Sequence, residues 1–316
     1  MKLHLDTDFA GDPDDAAALA MLLGFDDVHL TGITTVADPD GRRAAYVRRM
    51  LALAGSTDIP VAPGARISMT HGAVMGDIPD HARYWGSEPL WAQQAETGCH
   101  AALDLLAASV ETGATVVAIG PMTNLALLAQ RHPGHLARAH VVAMGGWFAP
   151  VAPGLPCWGP AADWNVQCDT AAAVTVLQHA GRLTLVPLSM TIAVFLRLGE
   201  VDRLCASGRI GRLLARQAIA YCVDEGKAEI ARAHDGLPDD LLNFHHDPLT
   251  CATATGWGGV EHQTRDLVAV HSGDVLSFEE TPDGRSVDVV TAVDSLAFGH
   301  TWLAAVEAAD RRTTVT

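Results

Sequence analysis

The sequence predicts an α/β fold: an open, mostly parallel, Rossmann-like sheet flanked by helices. Three observations predict it. Short runs rich in β-branched residues alternate with Ala- and Leu-rich stretches of helical period. The better strands end in Gly, Asp or Ser, and several helical stretches close on Gly. A chain of 316 residues, 49% of them hydrophobic, carries enough apolar side chains for one large core.

In order, the expected strands are Leu3–Asp8, Val28–Ala37, the IPVAPG run at 59–64, Ala114–Gly120, His140–Gly146 and Leu183–Ser189. The helical runs between them are 14–25, 41–55, 99–113, 122–130 and 168–181. Two longer stretches lack either period: Ser68 to Pro89, and Trp147 to Asn165, which is rich in Pro, Gly and Trp. Loops of that length in an α/β domain are usually lids or binding loops. After about Leu198 the pattern turns helical, and it returns to β at 267–280 and 286–294. The expectation is a single domain, 1–316, with a helical insertion around 198–245.

Composition narrows the function. A net charge of −16 disfavours nucleic acid or an anionic membrane as partner, because no basic patch is present to displace counterions. The six cysteines are widely spaced, without a CxxC pair, and read as reduced core thiols. No signal-peptide-like or membrane-spanning run is found, so a cytoplasmic protein is expected.

The chemistry is sought at the carboxyl ends of the strands, where open parallel sheets bind ligands. LHLDTDFAGDPDDAAALAMLLG, from Leu3, sets five aspartates within ten residues at the end of the first strand. Carboxylates this close repel one another unless some are protonated or a cation compensates them. Hard divalent cations favour such oxygen donors, so a calcium or magnesium site is the sharp expectation. Helix capping accounts for Asp12 and Asp14 but leaves Asp6 and Asp8 without a reason.

Three further strings place polar groups where a core would not use them: GPMTN (Gly120–Asn124), ADWNVQCD (Ala162–Asp169) and FHHDPL (Phe244–Leu249). Taken in order with the opening aspartates, TTVAD, HG at His71, MGG at Met144 and HDPL, they resemble the inosine-uridine preferring nucleoside hydrolases. The resemblance runs from Leu3 to about Thr250.

That resemblance implies a calcium ion held by Asp8, Asp15, the backbone carbonyl of Thr123 and Asp247. It implies a ribonucleoside substrate, with Asp14, Asn165 and Asp247 on the ribose hydroxyls and Asp38, Met144 and Trp164 also at the substrate. His71 matches a position facing the base, and His246 one that protonates the leaving base. A homodimer or homotetramer is implied too. Breaking an N-ribosidic bond passes through an oxocarbenium-like ribosyl group and needs an activated water; Asp8 is the expected base.

The sequence also departs from the family pattern. Two extra residues separate Asp8 from Asp14, leaving Asp12 without a family role. Asp163 stands where many members have a Glu that holds the ribose 5′-hydroxyl, and Cys157 or Trp158 replaces an Asn. An altered 5′ subsite is therefore expected. Trp147, Trp158 and Trp164 offer flat faces on which a base can stack.

Two alternatives are weaker. A strand-terminal DxD also opens haloacid-dehalogenase phosphatases, but the only lysines, Lys2 and Lys227, are not at strand ends. A calcium-stabilised nucleoside-binding protein without catalysis predicts ligand binding but no ribose release.

Overall fold

The structure, a computed structural model, describes residues 1–87 and 99–313. In chain order the strands are β1 (Lys2–Thr7), β2 (His29–Thr35), β3 (Val61–Pro63), β4 (Thr115–Ala118), β5 (His140–Met144), β6 (Arg182–Val186), β7 (Phe195–Arg197), β8 (Leu241–Phe244), β9 (Val260–Ser272), β10 (Val275–Glu280) and β11 (Arg285–Val293). Among the described residues, nine of them form one sheet in the order β10-β9-β11-β6-β5-β4-β1-β2-β3. The six strands β1 to β6 pair in parallel, β11 joins β6 in parallel, and β9 and β10 extend the sheet antiparallel.

The central strands read as near-continuous apolar runs because helices cover both faces. Val116, Val117, Val141, Val142, Leu183 and Leu185 are all buried. The helix Asp14–Gly24 is buried almost all round, so its sequence carries alanines on every side instead of one apolar stripe. The C-terminal helix Ser295–Thr313 lies against it, and the buried Trp302 donates from Nε1 to the Ala17 carbonyl at 3.1 Å. A Cβ at Gly24 would stand 1.9 Å from the Ala305 carbonyl oxygen, so this crossing admits no side chain.

The expected strands of the main sheet are present, each starting within two residues of the expected position and ending one to three residues earlier. Residues 198–245 hold the expected helices, Val201–Ser207, Arg209–Asp224 and Lys227–Arg232. They are bracketed by an antiparallel pair, β7 with β8, that the sequence pattern does not reveal because each strand is only three or four residues long. The loop expected at Ser68–Pro89 contains a short helix, His81–Trp85, and its last two residues lie outside the described residues. All six cysteines are free thiols. No helix among the described residues is long and apolar enough to cross a membrane.

Candidate active site

At the carboxyl end of β1 the chain leaves the sheet carrying Asp8, turns through Phe9–Pro13, and enters the helix Asp14–Gly24 with Asp14 and Asp15 in its first turn. The loop is held in an uncommon shape: Ala10 has φ 74°, a left-handed conformation that non-glycine residues seldom adopt. The helix His246–Ala254 starts close by and brings Asp247. Carboxylate oxygens of Asp14, Asp15 and Asp247 lie within 4.8 Å of one another, and all three residues are buried.

These acids are electrically frustrated. Burial, and then Asp12 and Asp15, push the Asp14 carboxyl well above the usual range. Burial and then Asp8 do the same to Asp15; burial and then Asp14 do so to Asp247. Among the described residues none of the three forms an ion pair with Lys or Arg. The nearby Arg43 is spent on the main chain: Nε donates to the Ala37 carbonyl at 2.7 Å, and its terminal nitrogens donate to the carbonyls of Asp8, Phe9 and Asp77. Buried, convergent, all-oxygen and unneutralised, the cluster fits a hard divalent cation.

The cluster forms part of a cavity of about 580 Å³, a size ordinary for small-molecule sites. Asp8, Met144, Trp164, Asn165 and His246 line it as expected. Trp164 is 53% exposed and donates from its indole Nε1 to Asp8 Oδ2 at 3.2 Å. Burial raises the Asp8 carboxyl, with the Arg43 charge and the Trp164 hydrogen bond opposing that rise. Asn165 Nδ2 donates to the carbonyls of Ile119 and Met144, each at 3.3 Å, which leaves its Oδ1 without a protein donor among the described residues.

His246 is buried, and burial pushes its imidazole down to about 4, so the ring is neutral at pH 7. Its Nδ1 lies 2.7 Å from the Thr191 hydroxyl, which itself donates to the Leu188 carbonyl at 3.2 Å. That network places the imidazole hydrogen on Nδ1 and leaves the Nε2 lone pair as an acceptor.

Four sequence-matched residues do not face the cavity. Asp38 is buried, but its oxygens accept from Thr35 Oγ1 (2.7 Å) and the backbone N–H groups of Arg43 (2.8 Å) and Ala44 (3.0 Å), fixing the start of the helix Arg42–Leu53. Asp163 caps the helix Trp164–Cys168 through the Val166 N–H at 3.1 Å and also accepts from the Gly146 N–H. Both of its oxygens accept from the main chain. His71 sits exposed in a turn, its N–H donating to Ser68 Oγ at 3.3 Å. Thr123 is buried at a helix start, and its hydroxyl donates to Asp169 at 2.7 Å.

Asp6 supports the strand end: its Oδ1 accepts from Thr34 and from Asn124 Nδ2 (2.7 Å), while burial pushes its carboxyl up to about 7. Asp12 accepts from the Asp14 N–H at 3.1 Å and from Asn243 Nδ2, so the inserted residue both caps the helix and ties the loop to β8.

Sequence reasoning did not find the far wall. Tyr221 and Lys227, from the 198–245 helices, line the cavity together with Trp158. Burial, and then the Asp12 carboxylate that its hydroxyl bonds, push the Tyr221 phenol up. The one available signal was a lone internal lysine in a strongly acidic chain.

The comparisons agree with this geometry. The model of the family described as inosine-uridine preferring nucleoside hydrolase matches residues 3–313. Pyrimidine-specific ribonucleoside hydrolase RihA of Enterobacter sp. (strain 638) is 33% identical over 267 residues, covering 79% of this chain and 81% of the relative. The RihA of Salmonella schwarzengrund is 31% identical over 270 residues, with the same coverage. Among solved structures, a plant nucleoside hydrolase superposes with a TM-score of 0.80 at 22% identity, covering 96% of this chain and 98% of that one. The purine-preferring ribonucleoside hydrolase from Gardnerella vaginalis gives 0.79 at 21% identity, covering 98% and 99%. Fold, site and relatives define the class: an enzyme that hydrolyses N-glycosyl compounds. Within that class the chain belongs to the inosine-uridine preferring nucleoside hydrolase family.

Proposed function

We propose that this enzyme is a calcium-dependent ribonucleoside hydrolase whose chemistry is carried by Asp8, Asp14, Asp15, Asp247, Asn165 and His246. The observation that carries the proposal is the buried convergence of Asp14, Asp15 and Asp247 within 4.8 Å in the cavity that Asp8 also lines. Asp8, Asp15 and Asp247 would hold the ion, with Asp14 beside them and the Thr123 carbonyl as the family-implied fourth donor. Bound there, calcium supplies positive charge that acidifies water and orients hydroxyls.

The protein groups do the rest. Asp14, Asp247 and the free Oδ1 of Asn165 accept hydrogen bonds from ribose hydroxyls and so fix the sugar. The Asp8 carboxylate, its basicity increased by burial, takes a proton from the attacking water. The acidic lining stabilises positive charge on the oxocarbenium-like ribosyl group. His246, neutral with its Nε2 lone pair free, orients the base by accepting an N–H; this replaces the expected role of proton donor. By family resemblance the enzyme is also read as a cytoplasmic homodimer or homotetramer, which light scattering on the purified protein tests.

The deciding experiment is ribose release from a panel of purine and pyrimidine nucleosides, including 5′-modified ones, with and without a chelator. Release that stops on chelation and returns with calcium is expected. A panel without release, or Asp15→Ala with unchanged calcium content, overturns the proposal.

A further inference from the structure

Lys227 is 8% exposed, yet no carboxylate among the described residues lies within ion-pair distance of it. Its ammonium is held between two aromatic faces, 4.8 Å from the Tyr221 ring centre and 5.5 Å from that of Phe244. Phe244 in turn packs against His246, with ring centres 5.4 Å apart, which places the lysine on the His246 side of the cavity. Of the lining acids, Asp12 is already engaged by Asn243, the Asp14 N–H and Tyr221. Arg43, the other Lys or Arg of the lining, spends four of its five N–H donors on main-chain carbonyls. Lys227 is therefore the one Lys or Arg of the lining whose side chain has no hydrogen-bond acceptor among the described residues.

A buried ammonium without an acceptor is costly, and aromatic faces recover only part of that cost. A substrate bound in the cavity can supply the acceptor. The remaining lining is strongly acidic, which suits a ribosyl cation and opposes the departure of an anionic base. From this arrangement we infer that Lys227 is a catalytic residue for the leaving group, its Nζ donating a hydrogen bond to the base as negative charge builds there. The inference rests on the nucleoside hydrolase reading and deepens it. The breaking bond joins the anomeric carbon to a base nitrogen, and its electron pair leaves with the base. The forming bond joins that carbon to the water oxygen, whose proton goes to Asp8 and from there to solvent. The base takes up one proton from solvent, giving ribose and free base, and Lys227 keeps its own.

The test compares wild type, Lys227→Met and Lys227→Arg on inosine, uridine and 4-nitrophenyl β-riboside, whose leaving group departs as a stable anion. For Lys227→Met, kcat/KM on the two nucleosides should fall about 100-fold, while the nitrophenyl riboside changes by no more than about threefold. Across ribosides of graded leaving-group pKa, the dependence of log kcat on that pKa should steepen in Lys227→Met, and Lys227→Arg should regain most of the loss. Equal falls on all three substrates, as misfolding or misplacement produces, overturn the inference, as does no fall on any. A wild type inert on every nucleoside overturns the nucleoside reading and this inference with it. Nucleoside cleavage by Lys227→Met at the wild-type rate overturns this one alone.

Discussion

Asn243 donates from Nδ2 to Asp12 Oδ1 at 2.5 Å, closing a link between residues 231 positions apart in the chain. It clamps the loop after β1 onto β8, and β8 leads directly into the helix that carries Asp247. Removing the carboxylate strands the Asn243 amide and the Tyr221 hydroxyl together. Asp12→Ala should lose about 2 kcal/mol of stability, and Asp12→Asn, which keeps an acceptor, less than half of that. Urea unfolding at saturating calcium, where repulsion among the acids is already cancelled, measures both.

Asp247→Asn should make the metal-free protein more stable and the calcium-loaded protein no better. Removing one of three mutually repelling buried charges should raise the metal-free Tm at pH 8 by roughly 2–4 °C, about 1 kcal/mol, and abolish the rise that calcium brings. Thermal scans with and without calcium test this.

On the proposed calcium reading, the same acids set the pH dependence of metal binding. Their folded-state pKa values lie above those of the unfolded chain, so the folded metal-free protein binds more protons and loses stability as pH rises. Asp6, pushed up to about 7, contributes in the same direction between its unfolded value and pH 7. The buried His4 and His245, both pushed down to about 3, act oppositely but only below the unfolded histidine pKa. The calcium-induced gain in Tm should therefore be larger at pH 8 than at pH 5.5.

Trp164→Phe removes the indole donor that holds the Asp8 carboxylate down. The acid limb of the pH profile of kcat/KM should move to higher pH, because the base must be ionised to work. A limb that stays in place while KM rises would assign Trp164 to substrate stacking instead.

Much of this was legible in the sequence. Parallel strands buried on both faces and glycine-closed helices carry strong local signals, and the aspartate-rich turn announces itself because so much like charge demands a partner. What stayed hidden depended on where carboxylates point. Asp38 and Asp163 occupy family positions, yet backbone N–H groups that need capping claim their oxygens. Lys227 and Tyr221 are ordinary in sequence and acquire meaning only when the 198–245 helices fold over the cavity.

Gly24→Ala should be among the most damaging small changes available, since backbone, not a yielding side chain, occupies the space. A loss of about 3 kcal/mol is expected, read by chemical denaturation, with kcat little changed in the molecules that remain folded.

The seating of Trp302 against Ala17 makes the acidic turn a late event in folding. The helix presenting Asp14 and Asp15 starts at residue 14, and the element that backs it starts only at residue 295. Contacts of such sequence separation form slowly, so until Ser295–Thr313 docks the acidic turn lacks the support that positions it.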